Sequence, residues 1–251
     1  MSTVRRPGPW RAAALGAAAL AALLTFAAAR WASGRYERAA TIRSAATAAA
    51  YLALLTPADS TGFVLPRLLV EARALASLPG WSGVEVYHGT APLVLATAPP
   101  LEPATFDSLR VTAAARWRGG WVLVPLRDRH DREVVGAVAR RLSGLGGGWR
   151  LWWTALAALA AVLGALAAAG AIGAETVRQR RALTAQVAAA GLLGVAAFGA
   201  VHRTARASTD QWLGDARLLI QEAVARTPAS RVATADLARI ARGAELAPGT
   251  G

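Results

Sequence analysis

The stretches Leu151–Ala174, LWWTALAALAAVLGALAAAGAIGA, and Ala182–Val201, ALTAQVAAAGLLGVAAFGAV, decide how this chain is read. Both are almost uninterrupted apolar runs. A bilayer core needs roughly 20 apolar residues at a helical rise of about 1.5 Å, and each run is about that long. Glu175, Arg178, Arg180 and Arg181 lie between them in a short charged turn. The segment from Trp149 to His202 therefore reads as a membrane hairpin. Arginines in a short loop resist translocation, which places the turn in the cytoplasm and both outer ends beyond it. Trp149, Trp152 and Trp153 at the outer start suit an interfacial aromatic belt. The rival reading is a pair of buried helices in a soluble protein, but two such runs in one modest chain are hard to bury without lipid.

Composition agrees with a chain given largely to membrane. Of its 251 residues 55% are apolar, and the formal charge is +13. Every basic residue is arginine. The charge does not point to nucleic acid, because Arg5, Arg6 and Arg11 cluster at the start and Arg178, Arg180 and Arg181 in the turn, where they would set topology. No basic stripe carries interleaved aromatics. With no cysteine, an exported part must be held by its own core.

Arg5, Arg6 and Arg11 precede a further apolar run, Ala12 to Ala29, bracketed by Trp10 and Trp31. If helical, the two tryptophans stand about 31 Å apart. This is a first transmembrane helix with its amino end inside, or a secretory signal peptide cleaved near Ala27-Ala28-Ala29. Either exports the residues after it. The expected layout is a cytoplasmic start over 1–11, spans over 12–31, 149–174 and 182–202, and a cytoplasmic loop over 175–181. An exported domain then occupies 32–148, and an exported helical pair 203–251.

The exported domain opens helically. Tyr36, Ala39, Ile42, Ala46, Ala49 and Ala53 share a face, until Thr56-Pro57 breaks the pattern. A second helix is expected from about Phe63 to Leu78, ended by Pro79-Gly80. Strands are expected at Val84–His88, Pro92–Thr97, Trp121–Leu126 and Glu133–Leu142, with a short helix from about Ala104 to Arg110. Leu109–Ala115 is a further candidate strand. The fold class expected is a membrane protein with three transmembrane helices and an α+β domain of long helices on one face of a small antiparallel sheet. Gly144–Gly148 reads as a flexible joint.

The stretches Leu78–Tyr87, Pro92–Thr97, Val122–Asp128 and Val134–Val138, set between two spans, resemble the Cache or PAS-like sensor domains of bacterial receptors. The resemblance covers about residues 30 to 148 and is one of layout and strand texture. The turn Asp128–Arg132 lacks the glycine often found there. The resemblance implies an extracytoplasmic sensor in the bacterial inner membrane, with a downstream output, commonly a histidine kinase in a two-component system.

A partial duplication is also legible. Thr56-Pro57-Ala58 answers Thr227-Pro228-Ala229, and Pro79-Gly80 answers Pro248-Gly249. Arg11 to Gly80 spans 69 positions and Arg181 to Gly249 spans 68. On this reading residues 203–247 form two helices without a sheet. The face Trp212, Ala216, Leu219, Ile220 and Ala223 is then left partly uncovered, with Asp215, Gln221 and Glu222 away from it. That implies the amino-terminal part of a longer receptor, or a truncated gene product.

No zinc-binding His-Glu-x-x-His, nucleophile elbow or phosphate-binding loop is present, so no enzyme activity, catalytic residue, metal site or cofactor is expected. The spans lack mid-bilayer charge, which disfavours a pump. His130 reads as solvated and His202 as interfacial, while His88 ends a strand. The candidate ligand-binding residues are Trp81, Tyr87, His88, Arg116 and Trp121, each of which has an ordinary core or rim reading beside it. Expected partners are the lipid bilayer, a small-molecule or protein ligand outside the cytoplasm, and a second copy of the chain in a homodimer. The function expected is a sensor input module whose ligand shifts helices. The alternative is a non-catalytic membrane scaffold that binds another protein.

Overall fold

The structure, a computed structural model, describes residues 9–56, 58–59, 62–81, 83–93, 100–118, 120–127, 133–141 and 177–226. Side chains are described from residue 27 in the first helix and from residue 194 in the last. The described chain is a mixed α+β fold. It has four helices: α1 (Pro9–Leu55), α2 (Leu65–Ser77), α3 (Pro103–Thr112) and α4 (Val177–Arg226). Strands β1 (Ala58–Asp59) and β2 (Gly62–Phe63) pair by themselves. Strands β3 (Val84–His88), β4 (Ala91–Pro92), β5 (Arg116–Arg118), β6 (Trp121–Arg127) and β7 (Val134–Arg141) form one antiparallel sheet of order β4-β3-β7-β6-β5.

The expectation of three transmembrane helices is corrected here. Among the described residues, no helix is long and apolar enough to cross a membrane. Residues 12–31 and 182–202 are not separate spans: they lie inside helices of 47 and 50 residues. Residues 177–181, expected as a loop, are helical. The segment 149–174 and residues 175–176 lie outside the described residues. The helices continue past the apolar runs into charged sequence, with Arg30, Arg35, Glu37, Arg38 and Arg43 following in α1 and Arg203, Arg206, Asp210, Asp215 and Arg217 in α4. Alanine is the strongest helix former but offers little apolar area, so its runs report helix more firmly than hydrocarbon. Arg11, Arg178, Arg180 and Arg181 fall within these helices, and Arg5 and Arg6 lie outside the described residues.

Two compact units divide the chain, one of residues 1–36 with 144–207 and one of 37–143 with 208–251. In the first, Arg35 lies over the exposed ring of Trp31, and Phe198 stacks on His202. Thr204 donates to the Ala200 carbonyl at 3.0 Å.

The second unit holds the sheet. Alternation along its strands presents Val84, Val86, Val122, Val124, Leu126 and Val138 to one face. There they meet α1, α2 and α4 through Tyr51, Leu52, Leu68, Leu75, Leu219 and Ala223. Each large apolar side chain buried this way contributes roughly 1.5–3 kcal/mol. From Ser44 to Leu55, α1 is buried at every position but Ala50, more than the single stripe its sequence suggests. A helix apolar all round belongs in a core. It ends at Leu55, directly before Thr56-Pro57, and α4 ends at Arg226, directly before Thr227-Pro228.

The opposite face of the sheet is also covered. Tyr87, Leu123, Ala137 and Ala139 pack with Leu101 and Leu109, and Phe106 and Trp121 flank them. The long helices keep to one face, and the short α3, whose Pro103 suits a first helical turn, supplies a second layer on the other. It stops at Ala113, which takes the left-handed conformation with φ +50°. Gly136 of β7 lies where an added Cβ would stand 2.0 Å from the Tyr87 carbonyl oxygen, so only glycine fits there.

The α4 face was expected to lack a cover. Instead Ala216, Leu219 and Ala223 are buried in the core of the sheet-bearing unit. The layer they need is α1, α2 and the sheet, not a missing second sheet. The expected second helix of that pair, after Thr227, lies outside the described residues.

Candidate functional site

Arg140 is the unexpected residue of β7. Its register pairs it with Val84 on β3 and Val122 on β6, both on the face beneath the long helices. An arginine there must find partners or unfold the face, because a buried charge is costly alone. Its Nη1 donates to Asp215 Oδ2 of α4 at 2.8 Å and to Ser44 Oγ of α1. Its Nη2 donates to the Gly80 carbonyl at 3.3 Å. Ser44 donates in turn to Asp215 Oδ2 at 2.5 Å. The guanidinium lies 4.2 Å from the ring centroid of Trp81, which is fully buried. Burial pulls the Arg140 pKa below its ordinary range, against which Asp215 pulls upward by charge and hydrogen bond. One side chain of the sheet is thus tied to both long helices and to the α2–β3 connection.

A second polar cluster closes the carboxyl end of α4. Arg226 donates to Glu71 of α2 at 3.1 Å and to Glu222 at 2.5 Å. Beside it Tyr51 is fully buried with a hydroxyl that lacks a hydrogen-bond partner among the described residues. Burial, the dominant cause, pushes its pKa up to about 12; Arg226 lowers it, while Glu222 and Glu71 raise it.

On the α3 side, Glu85 is buried and accepts a 3.0 Å hydrogen bond from the Tyr87 hydroxyl. Burial raises the Glu85 pKa, and the Tyr87 hydrogen bond only partly offsets it. The Tyr87 pKa is raised as well, first by burial and then by the Glu85 charge.

The five candidates from sequence do not converge. Trp81 lies on the long-helix face, against Arg140. Tyr87 and Trp121 lie on the α3 face. His88 is half-buried at the end of β3. Arg116 is exposed on the edge strand β5, 3.5 Å from the Thr112 hydroxyl. Sequence reading missed Arg140, Asp215 and Ser44. A signal for them exists: Val138 and Arg140 share a strand face, and Asp215 sits three residues from Trp212 and four from Leu219, on the buried side of α4. Asp215 was expected to point away from that face, yet its side chain is only 12% exposed.

Among known proteins, no family model, no curated protein and no solved structure matches this chain. No family evidence therefore supports assignment to Cache, PAS or two-component proteins.

Proposed function

We propose that this chain is a non-catalytic input module for signalling, in which a small molecule bound to the sheet-bearing unit changes how α1 and α4 sit together. The observation that carries the reading is the Arg140 node. A single sheet residue holds Ser44 of α1 and Asp215 of α4 at once, so a shift of β7 bears on both helices. Both helices also contribute residues to the other compact unit, as an element that passes on a displacement must. Packed interfaces tend to switch between discrete arrangements, which suits such a node to two-state behaviour.

A second reading, a scaffold that binds another protein, is favoured by the exposed Val64, Leu65 and Val70 at α2. Hydrogen exchange on the full chain separates the two. In the input module, Arg140→Met raises exchange together in residues 44–55 of α1 and 208–226 of α4. In a scaffold, the change stays within β7 and the single turns of α1 and α4 that touch Arg140.

A further inference from the structure

The two compact units divide the charge of the chain unevenly. The described residues of the first unit, 9–36 and 177–207, hold eight arginines and no acid. Those of the second hold twelve arginines and ten acids. The formal balance is thus +8 in the first and +2 in the second. In the second unit arginines meet carboxylates, as Arg140 meets Asp215 and Arg226 meets Glu71 and Glu222. No described residue of the first unit can offer its arginines a carboxylate.

The first unit also leaves large apolar side chains in water. Trp31 of α1 is 65% exposed, and Val195 and Phe198 of α4 are 70% and 74% exposed. Their placement is regular. Ala28, Trp31 and Arg35 are all exposed at spacings of three and four, which sets them on one stripe of α1. Val195, Phe198, His202 and Arg206 continue the same spacing on α4. Each stripe runs in the same order, from an apolar residue through an aromatic ring to an arginine. Within each, the ring meets its polar neighbour: Arg35 lies 4.8 Å from the Trp31 ring centroid, and Phe198 stacks on His202.

These features ask for two kinds of chemistry in one partner. It must be anionic, to answer arginines that have no carboxylate in their own unit. It must also take exposed rings out of water. A nucleic acid or an acidic peptide supplies charge with little apolar depth, and an apolar groove supplies depth without charge. An anionic lipid surface supplies both, because negative headgroups overlie hydrocarbon and tryptophan and arginine are favoured at that boundary. Such a contact lies on the surface and needs no helix that crosses it.

We propose that the first unit docks on an anionic lipid surface through Trp31 and Arg35 of α1 and Val195, Phe198 and Arg206 of α4. The inference concerns this unit alone and is independent of the input-module reading.

The test is sedimentation of the full chain with phosphatidylcholine vesicles that hold either no charged lipid or about 30% phosphatidylglycerol. Charged vesicles should bind it at least tenfold more tightly than neutral ones. Added salt should weaken that binding, because each arginine near the surface contributes about fivefold and is screened. Arg35→Gln with Arg206→Gln should weaken it about 25-fold. Trp31→Ser with Phe198→Ser should weaken vesicle binding severalfold and leave affinity for polyglutamate unchanged. Failure to bind charged vesicles, equal binding to neutral ones, or binding untouched by either double variant overturns the proposal. Polyglutamate bound as tightly as the charged vesicles overturns the lipid assignment. All four substituted side chains are exposed, so the variants should keep wild-type helical content. If one does not, the wild-type comparison of charged vesicles, neutral vesicles and polyglutamate still decides.

Discussion

Removing Asp215 should damage the protein far more than removing the ion pair. The Arg140 and Asp215 side chains are 7% and 12% exposed, so neither charge has water to fall back on. Asp215→Ala leaves the guanidinium with only a serine oxygen and the Gly80 carbonyl. Orphaning a buried charge costs about 3–5 kcal/mol. For a unit of this size that lowers the melting temperature by about 6–20 °C. Replacing both partners, Arg140→Met with Asp215→Leu, removes the charge and its desolvation together. The double variant should lie within about 2 kcal/mol of wild type, because apolar replacement of a buried pair is often neutral. The assay is urea denaturation of the wild type, the two single variants and the double variant, read as a double-mutant cycle. Additive single and double effects, or an Asp215→Ala cost below about 1 kcal/mol, would refute the reasoning.

Three further outcomes rest on single residues. Gly136→Ala should cost about 1–3 kcal/mol or more in denaturant unfolding, since its Cβ would meet the Tyr87 backbone carbonyl. Tyr51→Phe should leave stability unchanged or raised by about 1 kcal/mol, because the buried hydroxyl it removes bonds to nothing among the described residues. Glu85 has a pKa raised from its ordinary 4.5 by burial, so the native state binds the proton more tightly than the unfolded chain. Its stabilising contribution is therefore full below about pH 4.5 and lost as pH rises through the raised value. Glu85→Gln should abolish that part of the pH profile, and should match wild type in acid while exceeding it at neutral pH.

Local signals in the sequence marked the middle of the chain well and the ends poorly. Val84–His88 and Trp121–Arg127 were legible as short runs rich in branched and aromatic residues bounded by turn residues. Leu65–Ser77 was legible from its apolar face and the Pro79-Gly80 stop. Leu109–Ala115 was ambiguous as a possible strand; the helix runs to Thr112, and only Arg116–Arg118 pairs with β6. The long helices misled because alanine satisfies hydropathy counts and helix propensity alike. The polar node was hidden for a different reason. Arg140, Ser44 and Asp215 are 96, 75 and 171 residues apart in their pairings, and only the packing of α1 and α4 on the sheet brings them together. The single clue, an arginine on the inward register of β7, tells that a partner exists but not which one.

The central claim is that Arg140 couples the sheet to α4. The chain has no cysteine, so Val111→Cys on α3 and Leu213→Cys on α4, both exposed positions, give a unique spin-label pair. Pulsed electron–electron distance measurement on this pair tests the claim most directly. The account predicts one narrow distance distribution with Arg140 in place, and a shifted or second population with Arg140→Met at unchanged helical content. Identical distributions in the two proteins would contradict it.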